Sequence, residues 1–168
     1  KIEIDLKQVH FSNIRFNKVD QWIGQNQLVT IKKMDLDMYT LNITRKTAAI
    51  RDLYLEEPYF SQSDYEGKRP PSPNLKNVIE QIPVINAFKW NNSGWVVNAE
   101  KLTIKNGSFQ NDKYTERAPY EHFDGMHFLF SGINGTLERI LFLNDTLSAK
   151  LNISAKERSG FEVKKLQA

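Results

Sequence analysis

The sequence predicts a mainly β protein: a curved antiparallel sheet, either an open trough or a partly closed barrel (a half-pipe), made of repeated bulged strands with one short amphipathic helix. Three observations predict it. Apolar and polar residues alternate over most of the chain. The alternation slips by one residue in a phrase that recurs. Turn dipeptides separate the alternating stretches.

The elements follow in chain order. Ile2, Ile4 and Leu6 alternate with Glu3 and Asp5, as a half-buried strand requires. The rhythm slips within Leu6-Lys7-Gln8-Val9-His10-Phe11, and again between Phe11 and Ile14 before reaching Phe16. The same phrase, apolar-x-apolar-x-x-apolar-x-apolar, returns from Val29 to Leu36 and from Val97 to Ile104. On a helix, at about 100° per residue, its apolar positions would scatter around the axis. On a flat strand, an odd spacing would flip the face. A β-bulge absorbs the extra residue, restores the apolar side and raises the twist. Two short strands meeting at a corner are the other reading. Strands bulged at similar places would give a strongly curved sheet.

Ile50, Leu53 and Leu55 form a further strand that ends at Pro58, which cannot donate to a ladder. The stretch from Phe123 to Phe130 alternates through Met126 and Phe128. Asp145 to Ala155 sets Leu147, Ala149, Leu151 and Ile153 against polar neighbours, and Phe161-Glu162-Val163 reads as a last strand. Asn106-Gly107, Asp124-Gly125, Asn134-Gly135, Asn144-Asp145 and Ser159-Gly160 are turn signals. Lys68 to Pro73 is a stiff Pro-rich loop. Beyond it Asn74 stands at an N-cap position, Leu75, Val78, Ile79 and Ile82 follow at helical spacing, and Pro83 ends the run. A helix of about two turns does not hold alone and needs the sheet. The chain is thus expected to be one β-rich domain of two weakly repeated halves, 1–67 and 90–168, joined by the Pro-rich loop and helix of 68–89.

Composition narrows the function. With 168 residues, 40% hydrophobic and 26% charged, the chain suits one globular domain. It begins with Lys1 and has no run of about 18 apolar residues, so any anchor is expected outside it. The absence of cysteine excludes disulfides, thiol catalysis and Cys-based zinc sites. A net charge of +3, with the doublets Lys32-Lys33 and Lys164-Lys165 rather than a basic face, argues against nucleic acid as a partner. There is no phosphate-binding loop, nucleophile elbow or zinc-protease motif, and no enzyme activity or cofactor is expected. His122, Asp124 and His127 are near enough in sequence to suggest a metal, but the Asp124-Gly125 turn scatters their directions, so no metal is expected. Asp35 and Asp37 share the strand face opposite Met34, Leu36 and Met38 and read as its solvated side.

Three stretches resemble AsmA-like and TamB-like envelope proteins. Ile50-Arg51-Asp52-Leu53-Tyr54-Leu55-Glu56-Glu57-Pro58-Tyr59-Phe60 resembles their strand followed by a proline and an aromatic residue. Gly94 to Phe109 resembles their strand ending in an Asn-Gly turn and an aromatic. Leu147 to Leu166, with Lys156-Glu157-Arg158-Ser159-Gly160-Phe161 at its centre, resembles a segment of TamB-like proteins of the Bacteroidota and is the most specific match. The resemblance implies an internal fragment of a periplasmic protein held to the inner membrane by a segment outside it. It implies a long curved sheet with a hydrophobic groove for lipid transport or outer-membrane protein assembly. The implied partners are phospholipid acyl chains or the outer-membrane assembly machinery, and adjacent repeats of the same chain.

Such a groove suits acyl chains, whose transfer from water gains about 0.8 kcal/mol per methylene. The residues expected to line it are Phe11, Phe16, Met34, Leu36, Met38, Leu102, Ile104, Met126, Phe128 and Phe130. Periodicity alone fits a closed core of the same residues equally well. The alternative function is a cell-surface β-sandwich that binds carbohydrate or protein, with Trp22, Trp90 and Trp95 as exposed platforms.

Overall fold

The computed structural model describes residues 8–68, 91–114 and 117–167. These form the strands β1 (Gln8–Asp20), β2 (Gln25–Asn42), β3 (Thr47–Glu56), β4 (Tyr59–Asp64), β5 (Val96–Asp112), β6 (His127–Leu143), β7 (Thr146–Glu157) and β8 (Glu162–Gln167). The fold is mainly β and curved, as the periodicity predicts. The helix expected over Leu75–Ile82, and Trp90, lie outside the described residues.

All eight strands belong to one sheet, in the order β1-β2-β3-β5-β6-β7-β8. β4 continues β3 past Pro58 and lies between β2 and β5 as β3 does. The two keep one register with β2, Lys33 facing Glu56 and Thr30 facing Tyr59. The interruption is local: Pro58 has no N–H to give, and Glu57 turns to φ 49°.

The sheet departs from the expected antiparallel pattern at one seam, where β5 runs parallel to β3 and β4. Parallel neighbours cannot be joined by a tight hairpin. β5 accordingly begins beside the first residues of β3, with Val96 facing Thr47. No periodicity in the strands records that.

Within the described residues the recurring slip lies inside continuous strands, not at corners; the strand expected over Ile2–Leu6 and the slip that follows Leu6 lie outside them. Asn13, Glu57, Asn106 and Gly132 have φ between 49° and 58°. The first three stand at one level of neighbouring strands: Ser12 faces Lys33, Lys33 faces Glu56, and Glu56 faces Lys105. Because β1 and β2 take the extra residue at the same level, their register is unchanged across it, with Ile14 facing Ile31. A second line crosses the sheet through Arg51, whose neighbours Ile50 and Asp52 pair across a register shift with Met38 and Asp37, and on to Arg139 at φ 54°. The two lines are six or seven residues apart, about 20 Å along the strands. Each raises the local twist, and together they curl the sheet. The curved sheet closes toward a small barrel, and among the described residues β1 and β8 stand at the two ends of the strand order without pairing.

Candidate functional site

The cross-strand register gathers the apolar residues of every strand onto one face. Val9, Leu36, Leu53, Leu102, Leu137 and Leu151 form one row across the sheet. Phe11, Met34, Leu55, Ile104, Gly135 and Ile153 form the next. Beyond the first crease, Phe16, Val29, Phe60, Phe109 and Phe130 form an aromatic row. Its rings touch: Phe60 lies 5.4 Å from Phe109, Phe109 lies 5.4 Å from Phe128, and Phe128 lies 5.8 Å from Phe130. Such pairs add attraction beyond the area they bury.

The crease does not break this face. Leu55 and Ile104 on one side, Val29 and Phe60 on the other, and Ile31, Pro58 and Ile133 between them line one hollow of about 250 Å³. Gly107 forms its floor. A Cβ there would stand 3.0 Å from Ile104 Cγ2, 3.2 Å from Pro58 Cγ and 3.4 Å from Ile133 Cβ. The missing side chain is what lets the neighbours close around it.

Only Met38 and Ala99 are buried apolar residues among those described, and most of the rest of this face is half-buried. With so few side chains fully buried, this face is only partly covered by the described residues. The described strands form a single sheet, so they do not make the two stacked sheets of a sandwich.

Nine of the ten residues expected to line the groove lie on this face: Phe11, Phe16, Met34, Leu36, Met38, Leu102, Ile104, Phe128 and Phe130. Met126 does not lie on a strand. β6 begins at His127, and the 123–126 stretch is a turn that leaves Met126 exposed. Its alternation with Phe128 and Phe130 extended the strand too far. Leu53, Leu55, Phe60, Phe109 and Ile133 were missed, although reading the slip through every strand would have found them. Trp22 is exposed in the β1–β2 turn, and Trp95 is half-buried just before β5.

The opposite face is charged. Asp37, Asp52, Lys101, Glu138 and Lys150 form one row across it. His10 and Lys33 each approach the Asp35 carboxylate to 2.7 Å. Hydrogen bonds from Lys33 and then His10 hold that carboxyl below its ordinary value. Tyr39 donates to Glu100 at 3.0 Å, and Arg51 pairs with Asp37 at 3.0 Å. Exposed pairs of this kind contribute little stability, and their effect is to keep this face in water.

At one end the apolar face gives way to amides. Gln27 donates to Gln25 at 3.0 Å and to Gln62 at 3.4 Å, and Gln25 donates to Asp64 at 3.1 Å. Lys113 pairs with Asp64 at 2.9 Å. Burial pushes the Asp64 carboxyl up, but the bonds from Lys113 and Gln25 outweigh it and the net shift is downward.

Two buried carboxylates fix the loops at this end. Asp124 is 3% exposed, and Arg117 grips it through both terminal nitrogens at 2.7 and 3.0 Å. The Tyr120 and Met126 amides also donate to it. These bonds, led by Arg117, hold its carboxyl well below the usual carboxylate range. His122 stacks on Tyr120 instead of joining Asp124 at a metal site. Among the described residues no group of three or more acidic or histidine side chains is placed to hold a metal ion.

Glu157, in the segment that carries the most specific resemblance, is fully buried. One of its oxygens accepts the Leu129 N–H at 3.2 Å, and the other accepts the Ser159 N–H at 2.7 Å and the Ser159 hydroxyl. Arg158 donates to the His127 carbonyl at 2.6 Å. In this chain the Glu-Arg-Ser-Gly run is therefore a latch that ties the β7–β8 turn to the start of β6.

Compared with protein families, with curated proteins and with solved structures, the chain matches none. Among the described residues no helix is long and apolar enough to cross a membrane.

Proposed function

We propose that this chain is a lipid-handling segment of a cell-envelope protein of the AsmA-like and TamB-like kind. In this reading its apolar face forms a groove for phospholipid acyl chains. The observation that carries it is the single unbroken apolar face, running row upon row over the sheet and across both creases, with no second described sheet stacked on it. In this reading the sheet curls toward that face and so shields it from water without a partner layer. Contact with about eight methylenes of an acyl chain is worth roughly 6 kcal/mol of gross transfer free energy. Part of that is spent on immobilising the chain, which leaves an affinity suited to passage rather than storage. No reacting group is needed, and the groove gives no role to a cofactor.

The resemblance supports a periplasmic location, with an anchor in the inner membrane outside this segment. A second observation favours strand partners as well. Among the described strands β1, thirteen residues long, has a neighbour on one side only, and such an edge can accept another strand. An adjacent repeat of the same protein, or a strand of an outer-membrane protein under assembly, has the required chemistry.

Native mass spectrometry and lipid extraction of gently purified protein test the groove. Leu102→Asp places a charge on the apolar face, and Thr103→Asp places the same charge on the opposite face of the same strand. The expected result is co-purified phospholipid in the wild type and in Thr103→Asp, and its loss in Leu102→Asp with the circular dichroism of the sheet retained. A lipid-free wild type, or equal lipid in both variants, overturns the proposal.

A further inference from the structure

Six aromatic rings stand out from one end of the sheet. Trp22 lies in the β1–β2 turn and Tyr65 follows β4. Tyr114, Tyr120 and Phe123 lie between β5 and β6, and Phe161 lies between β7 and β8. All six are between 37% and 58% exposed. At the opposite end the described connections expose Ile43 and, at the close of β6, Leu143, but no ring. An even scatter of surface aromatics would need no explanation; among the described connections the exposed rings are gathered at this end, while at the far end Trp95 is half-buried and Tyr39, 46% exposed, lies within β2.

The connections that carry the rings are held by their own polar groups. The Asp20 carboxylate accepts the Trp22 and Ile23 amides at 3.0 and 3.1 Å. The Gly24 carbonyl accepts the Tyr65 amide at 2.7 Å. Gly24 is at φ 75° and lies so close to Gly67 that a Cβ would meet its nitrogen at 2.6 Å. The Arg117–Asp124 grip, with Arg117 stacked 3.8 Å over the Tyr120 ring, fixes the β5–β6 loop. The Glu157 latch fixes the β7–β8 turn. The polar groups hold the backbone inward and leave the rings partly exposed, with Tyr120 stacked on Arg117 and His122 and the Tyr65 hydroxyl donating to the Asp20 carbonyl at 3.4 Å, so little order remains to be imposed when they bind.

We propose that this end of the sheet docks on the interfacial zone of a zwitterionic lipid bilayer, with the six rings seated at headgroup level. Tryptophan and tyrosine favour that zone because their rings are apolar with one polar atom. Protein hot spots gather at the centre of a patch, whereas these rings are strung along the curved rim over about five strand spacings, roughly 24 Å of arc. A line of separated anchors fits a soft planar surface better than a protein pocket. Lys68, Lys113, Arg117 and Arg158 stand among Asp20, Asp64, Glu66, Glu121, Asp124 and Glu157, so this end carries no excess of positive charge to select an anionic surface. The inference rests on the lipid-handling reading for its purpose, since the apolar face terminates at this same end, but its evidence is separate.

Flotation with phosphatidylcholine vesicles tests it. The wild type is expected to float. A triple variant, Trp22→Ser with Phe123→Ser and Phe161→Ser, is expected to bind at least tenfold more weakly while its melting temperature is unchanged. Ile43→Ser with Leu143→Ser, at the far end, is expected to float like the wild type. So is Leu102→Asp, which separates this inference from the groove: loss of co-purified lipid with flotation retained leaves docking standing. Failure of the wild type to float overturns docking. So do equal flotation by the triple variant, equal loss at the far end, and binding seen only with anionic vesicles and abolished by salt.

Discussion

Glu157→Gln removes one charge from the latch and changes almost no volume. The two oxygens of Glu157 face different N–H donors, Leu129 on one side and Ser159 on the other. A glutamine has one acceptor oxygen, so in either orientation its NH2 faces a backbone N–H. The variant loses a hydrogen bond to a charged group, worth about 1.5–3 kcal/mol, and leaves a buried donor unsatisfied at about 1–3 kcal/mol. Overlap between the two terms brings the expected loss to about 3 kcal/mol. For a chain of this size that lowers the melting temperature by roughly 6–12 °C.

The pH dependence has a definite sign. Burial pushes the Glu157 carboxyl up, but the bonds from Ser159 and Leu129 outweigh it, and the net shift is downward from 4.5. A depressed carboxyl stabilises the fold above its unfolded pKa, and that stabilisation is lost as pH falls through the folded value. Urea unfolding at pH 7 and at about pH 3 should therefore show a wide gap between wild type and variant at neutral pH and a narrow one in acid. A variant within about 0.5 kcal/mol of the wild type at pH 7 would refute the reasoning. So would a gap that acid does not narrow.

Two further predictions concern the crease. Gly107→Val drives methyl groups into Ile104 and Pro58, which already stand 3.0 and 3.2 Å from a Cβ at that point; the expected cost is about 1–3 kcal/mol, read as a lower urea midpoint together with loss of the hollow as a lipid contact. Asn106, at φ 53°, holds a left-handed conformation that a β-branched residue resists. Asn106→Val should destabilise by about 1–2 kcal/mol and Asn106→Gly should not, and a stable valine variant would show that the crease is not held by this residue.

How much of this was legible beforehand depends on the range of the cause. Strand identity and face are local properties, because successive side chains point to opposite sides of a strand. The alternation through Val29, Ile31, Met34 and Leu36, with its slip, was therefore enough to place on one face nine of the ten residues expected to line a groove. The slip itself was legible as a bulge, since only an extra residue restores the face after an odd spacing. Met126 was misplaced because its alternation with Phe128 is the same in a strand and in the turn before it. What ends the strand at His127 is the Asp124 carboxylate drawing in amides and Arg117, which no spacing shows.

By itself the sequence determined a mainly β chain with one apolar side, bulged at repeated places. Only the tertiary structure decided that the bulges of neighbouring strands align into creases, that β5 joins β3 and β4 in parallel, and that β1 stands last in the order of the described strands. It also decided which turns share an end, and so that the exposed rings stand together there. The physical reason is that a side chain's face follows from its immediate neighbours in the chain. The order of strands, the level at which they meet and the burial of Glu157 against Leu129 all depend on residues far apart in sequence.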